Sequence, residues 1–164
     1  HHGTKTDWET ELVVVIGPGG RDIRQGDSLN HVPGYMVGQD LSDRAVQFIN
    51  DPPQFSLAKS FAGYGPIGPW LTTPDEVPDL ARQTLTTTVN GQAMQRSLLS
   101  DLIFSPADLV AYLSSIVELM PGDLIFTGTP SGTGVGRDPQ IFLQAGDQLV
   151  SQITGLGTLH ITIA

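Results

Sequence analysis

Apolar runs punctuated by glycine and proline organise most of the chain. Residues 11–16 read ELVVVI and close on Gly17-Pro18-Gly19-Gly20. A continuous β-branched run ended this way predicts a buried strand. Residues 35–37 form a second short apolar piece, running into Gly38-Gln39-Asp40, and Ser42 is placed to cap a short helix through Phe48. Residues 51–78 are rich in Gly and Pro, but Phe55, Leu57, Phe61, Tyr64, Ile67 and Trp70 predict a long loop that is ordered. Residues 84–89 and 92–96 flank Asn90-Gly91, a hairpin signature because a tight two-residue turn needs positive φ. Ser105 caps a predicted helix with Pro106 in its first position, an apolar face of Leu109, Leu113, Ile116 and Val117, and a stop at Pro121-Gly122. Residues 124–126, 149–153 and 158–163 complete the predicted strands. The pattern holds no repeat and no internal linker. It predicts one mostly β domain with few helices over residues 1–164.

Composition narrows the function classes. With 39% hydrophobic and 15% charged residues the chain is globular rather than disordered. A formal net charge of -9 with no basic stretch argues against a nucleic-acid partner. The absence of cysteine excludes disulfides and thiolate metal sites. No apolar run approaches the length of a membrane span and the start is not signal-like, so a cytoplasmic protein without a membrane partner is expected. His1-His2 opens the chain without a Met, as a tag remnant or as native sequence, and a segment upstream of residue 1 is expected to be missing.

Against that low charge density, individual carboxylates stand out. Glu9 and Glu11, two apart on a predicted strand, point to one face. Burying two like charges is costly, and a divalent cation would offset it; two solvated acids at an exposed strand start is the alternative. Asp40 follows an apolar strand, where loops carry function, or it is simply a turn acid. Together the three would form a hard, all-oxygen site suited to Mg2+, Mn2+ or Ca2+ rather than Zn2+. Lys59, in an apolar stretch, either holds a carboxylate or carbonyl or snorkels to the surface. Residues 127–134, TGTPSGTG, lack the Gly-Lys-Ser/Thr ending of a phosphate loop but offer donors to an anion, or form a plain turn. Arg44 and Gln47, one helical turn apart, can project together. His31 and His160 are isolated; His160 reads as structural.

In order, these pieces resemble the fumarylacetoacetate hydrolase family, from about Asp7 to the C-terminus. The resemblance is carried by Asp7-Trp8-Glu9-Thr10-Glu11-Leu12, by Gly34-Tyr35 through Asp40-Leu41-Ser42-Asp43-Arg44, and by Lys59-Ser60-Phe61. It continues in Gly65-Pro66-Ile67-Gly68-Pro69-Trp70, Ser100-Asp101-Leu102-Ile103-Phe104-Ser105, Thr127-Gly128-Thr129-Pro130 and Gly155-Leu156-Gly157-Thr158-Leu159. It implies a roll of mixed β-sheets around a central metal site, usually in a homodimer. It places the metal, Mg2+ or Mn2+, on Glu9, Glu11 and Asp40. Arg44, Gln47 and Lys59 would act on the substrate, a small anionic 2-oxo acid, and Thr129, Gly128 and Tyr35 would bind it. Two departures stand out. The family often reads Ser-Ala-Arg-Asp where this chain has Ser42-Asp43-Arg44-Ala45, and the upstream His and Glu that activate water in hydrolytic members have no counterpart here.

The activity these expectations imply is hydrolysis of a C–C bond in a β-dicarbonyl 2-oxo acid, of the fumarylacetoacetate or acylpyruvate type. Oxaloacetate decarboxylation and isomerisation or hydration of a dienedioate would use the same site. From another class, the rival is a non-catalytic β-domain that binds a small ligand.

Overall fold

The computed structural model describes residues 4–164; His1-His2 lies outside the described residues. The strands are β1 (Thr6–Asp7), β2 (Thr10–Val15), β3 (Gly34–Gln39), β4 (Ser42–Asp43), β5 (Ile67–Thr72), β6 (Thr84–Val89), β7 (Gln92–Leu98), β8 (Leu124–Phe126), β9 (Gln148–Ile153) and β10 (Gly157–Thr162). Three α-helices accompany them, α1 (Arg44–Gln47), α2 (Phe55–Ala58) and α3 (Pro106–Ile116). Strands β5-β3-β2-β8 form one four-stranded sheet and β10-β9-β6-β7 a second, while β1 and β4 make a short pair. The pairings are antiparallel throughout. No helix among the described residues is long and apolar enough to cross a membrane.

The two larger sheets face each other across a core with a polar middle. Leu12, Val14, Tyr35, Val37, Leu85, Ile125 and Ile153 build one apolar cluster, and Trp8, Leu41, Val89, Met94, Leu143 and Leu149 build a second. Alternation explains the arrangement. Inward positions run Leu85, Thr87, Val89 on β6 and Leu149, Ser151, Ile153 on β9, apolar at both ends and polar between. The same order runs through Trp8, Thr10, Leu12 on the facing sheet, and through Val37, Gln39, Leu41 beside it. The Thr10 hydroxyl meets Ser151 Oγ at 3.0 Å and Thr87 Oγ1 at 2.6 Å. Gln39 Nε2 donates to Thr10 Oγ1 at 2.9 Å and to Ser151 Oγ at 3.0 Å. Buried polar groups must be paired, and these are.

Three expectations require correction. Ser42 does not cap α1: it lies in β4, and Asp43 is the cap, its Oδ1 accepting from Ala45 N at 2.8 Å. That assigns the acid of the departing motif a structural task at the helix start. Helix α3 stops at Ile116, not at Pro121-Gly122, because Leu119 pairs with Gly20 through two main-chain hydrogen bonds and draws the chain into extended form. Its buried residues are accordingly Val110 and Ser114, while Ile116 and Val117 are exposed. The Gly/Pro-rich stretch is ordered, as expected, but it is not one long loop: it contains α2 and β5.

Candidate metal centre and substrate corner

The pairing of β2 with β3 assembles the acidic cluster. Thr10 lies opposite Gln39, and Asp40 N donates to Glu9 O at 2.9 Å. Glu9, just before β2, therefore sits beside Asp40, just after β3. Glu11 emerges from β2 on the face opposite Leu12 and the core. One carboxylate oxygen from each of Glu9, Glu11 and Asp40 lies within 4.8 Å of the others.

Two cations border the cluster. Lys59 follows α2 as its C-cap, and its Nζ donates to Glu9 Oε2 at 2.8 Å and to Asp40 Oδ2. Arg44 opens α1 and is buried; it reaches Glu9 Oε1 at 2.5 Å, Asp7 Oδ2 at 2.9 Å and Gln47 Oε1 at 2.8 Å. Asp7, fully buried, was not singled out by sequence reasoning, although it stands two residues before Glu9. Its Oδ1 accepts from Trp8 N at 2.8 Å and Gly134 N at 2.6 Å, and its Oδ2 from Val135 N at 3.0 Å.

Electrostatics follow from burial. Glu11 is 3% exposed, and desolvation, with smaller contributions from Asp40 and Glu9, raises its carboxyl to about 8 against the hydrogen bond from Gly128 N. Burial likewise pushes Asp40 up, against Lys59. For Lys59 burial pulls down, but its bonds to Asp40 and Glu9 outweigh it and the ammonium is held above its usual range. Arg44 is held up in the same way by Glu9 and Asp7 against burial. Four carboxylates, Asp7, Glu9, Glu11 and Asp40, face two cations, leaving a formal excess of two negative charges. A single divalent ion matches that excess, and an all-carboxylate set suits Mg2+ or Mn2+. The residues fit such an ion.

The segment after β8 closes the site. Gly128 N donates to Glu11 Oε2 at 2.6 Å, Thr127 Oγ1 to Leu12 O at 3.0 Å and Thr129 Oγ1 to Thr10 O at 2.9 Å. This corner lines a cleft of about 380 Å3 with Leu98, Ile103 and Phe104 on its apolar side. Of the candidate residues, the structure brings together Glu9, Glu11, Asp40, Arg44, Gln47 and Lys59, with Gly128 and Thr129 adjoining. Tyr35 lies elsewhere: opposite Val14 in register, it points into the core from the other face of the sheet from Glu11, and burial raises its phenol. His31 bonds the Pro18 carbonyl, and His160 is exposed on β10.

The model of the fumarylacetoacetate (FAA) hydrolase C-terminal domain matches residues 1–164. A protein of Mycobacterium smegmatis provisionally named HpcE superposes with a TM-score of 0.96 at 52% identity, covering 100% of this chain and 60% of that one. Fumarylpyruvate hydrolase from Pseudomonas aeruginosa, solved with Mn2+ and pyruvate, gives 0.89 at 36% identity over 99% of this chain and 67% of its own. A 2-hydroxyhepta-2,4-diene-1,7-dioate isomerase from Mycobacterium marinum gives 0.88 at 33% identity, over 99% and 60%. The chain spans about half the length of the curated relatives it matches, 54% of a Burkholderia lata protein provisionally named a hydrolase, at 46% identity over 154 residues. A family model that matches from end to end, on a fold shared at these identities, makes this chain a member of the fumarylacetoacetate hydrolase family.

Proposed function

We propose that this chain forms the catalytic domain of a divalent-metal-dependent hydrolase that cleaves a C–C bond in a small β-dicarbonyl 2-oxo acid. The observation that carries the reading is the convergence of the Glu9, Glu11 and Asp40 carboxylates within 4.8 Å, beside the Lys59 ammonium. When bound there, Mg2+ or Mn2+ would supply Lewis-acid stabilisation of the negative charge that develops on the 2-oxo group. Lys59, held cationic, adds positive charge at the same oxygens. Arg44 is bound to Glu9, Asp7 and Gln47, so it acts on the reaction by fixing the Glu9 carboxylate. Gly128 and Thr129 present the corner that meets the substrate carboxylate. Attack of water on the distal carbonyl then breaks the C–C bond; one fragment leaves as a carboxylic acid and the other takes a proton to become the shorter 2-oxo acid. The Mn2+ and pyruvate of the Pseudomonas aeruginosa enzyme support this choice of cofactor and product class.

Isomerisation of a dienedioate is the second reading, favoured by the Mycobacterium marinum neighbour. The test is turnover by the full-length protein with Mg2+ or Mn2+ of acylpyruvates, fumarylpyruvate, oxaloacetate and a dienedioate. EDTA-sensitive cleavage of an acylpyruvate is expected, with Glu9→Ala and Asp40→Ala each lowering kcat/KM about a hundredfold or more. Isomerisation or decarboxylation alone would replace the reaction and keep the site. Full activity in either variant would discard the metal mechanism, and metal-independent ligand binding without turnover would favour a binding domain. Sedimentation of the same preparation checks the homodimer we propose with it.

A further inference from the structure

The hairpin of β6 and β7 carries an irregularity whose position is informative. Thr87 faces Gln95 and Thr88 faces Ala93, so Met94 is an extra residue in β7. A bulge re-aims the side chains beside it. Here two consecutive residues turn inward: Met94 joins the second apolar cluster, and Gln95, 3% exposed, enters the polar middle of the core. The segment after β8 docks on the same spot. Arg137 Nη2 donates to Met94 O at 2.9 Å, and a side chain at Gly132 would overlap that carbonyl.

The orientation of the Gln95 carboxamide is fixed by main-chain groups of opposite sense. The Thr10 amide can only donate and the Pro130 carbonyl can only accept. Oε1 therefore faces Thr10 N, at 3.3 Å, and Nε2 faces Pro130 O, at 2.9 Å. Thr87 Oγ1 donates to Oε1 at 2.7 Å, and Nε2 donates to Thr129 Oγ1 at 2.9 Å. Because Thr129 Oγ1 accepts from Gln95, its own proton must point away, and the hydroxyl serves as a donor; Thr10 O receives it at 2.9 Å. Thr10 lies between Glu9 and Glu11. A second buried carboxamide, Gln39, accepts from Glu9 N at 2.6 Å, so the two amide groups flanking the Glu9 side chain's attachment are held from two different sheets.

We infer that Gln95 is a positioning residue. The bulge places its carboxamide so that one side chain locks the Thr129–Pro130 corner to the segment carrying Glu9 and Glu11, and holds the Thr129 hydroxyl, whose own proton goes to Thr10 O, in one place. The inference rests on the proposed function, in which Thr129 meets the substrate carboxylate; Gln95 acts through Thr129.

The test is calorimetry on the full-length protein, titrating Mn2+ and then pyruvate into wild type, Gln95→Leu, Thr129→Val and the double variant. Gln95→Leu is expected to weaken pyruvate about tenfold, because the corner that meets its carboxylate is no longer held in place. Mn2+ affinity should fall by less. The double variant should bind pyruvate no worse than the weaker single one, since both changes break the same Gln95–Thr129 contact through which Gln95 acts. Additive losses, or wild-type pyruvate affinity in Gln95→Leu, would overturn the inference while leaving the metal site intact. A wild-type protein that takes up neither Mn2+ nor pyruvate would overturn the functional reading and this inference with it. Should Gln95→Leu not fold, Gln95→Glu keeps the acceptor for Thr10 N but sets an acceptor against Thr129 and Pro130; unchanged pyruvate affinity there would count equally against the inference.

Discussion

At Glu11, burial and ionisation pull against each other. Desolvation, and after it Asp40 and Glu9, push its folded carboxyl up from the ordinary 4.5 to about 8. A group whose pKa is raised on folding holds its proton more tightly in the folded chain. Its contribution to stability is therefore complete below the ordinary value and is lost as pH rises through the folded one. In EDTA, thermal stability is expected to decline between pH 4.5 and about 8, and Glu11→Gln should flatten that slope. A metal ion must displace the same proton, so Mn2+ uptake at neutral pH should release about one proton. Calorimetry in buffers of different ionisation enthalpy measures it directly. Equal apparent enthalpies in all buffers would mean that Glu11 is already ionised.

Among the elements, those set by neighbours in sequence were the most legible. The β6–β7 turn has Asn90 at φ 51° and Gly91 at φ 79°, as its dipeptide predicts. Helix α3 begins with a reciprocal pair: Ser105 Oγ accepts from Asp108 N at 3.2 Å, and Ser105 N donates to Asp108 Oδ2 at 2.8 Å. Ser105→Ala should cost about 1 kcal/mol in urea denaturation while leaving turnover unchanged, since α3 supplies nothing to the acidic cluster. Elements set by distant partners were not legible. Strand β5 lies in a Gly/Pro-rich stretch and exists because β3 pairs with it. The end of α3 depends on the bridge between Gly20 and Leu119, about which the helix's own residues say nothing. The bulge at Met94 is equally hidden, because an extra residue leaves no mark until the partner strand is known.

Across the whole molecule, the legible part of the candidate site was its charged part. Glu9, Glu11, Asp40 and Lys59 are conspicuous in a chain with few charges, and they do converge. The buried polar layer behind them, Asp7, Gln39, Thr87, Gln95 and Ser151, was missed, since a buried Thr or Gln at an inward position looks in sequence like one facing water. Asp7 shows what that layer does: it ties Gly134 and Val135 to Arg44, and through Arg44 to Glu9. A side chain at Gly134 would overlap the Ile141 carbonyl and approach Asp7 Oδ1 to 2.8 Å. Gly134→Ala should cost about 1–3 kcal/mol as an overpacking change, read from the urea midpoint; an unchanged midpoint would mean that the segment yields. Gly132 is confined in the same way against Met94. For anyone engineering what this protein accepts, the two glycines follow directly on the Thr127–Ser131 wall of the cleft and anchor a segment with little room for variation, whereas the apolar wall has room. Libraries belong on Leu98, Ile103 and Phe104, whose exposed side chains can be exchanged without moving the backbone of the proposed site.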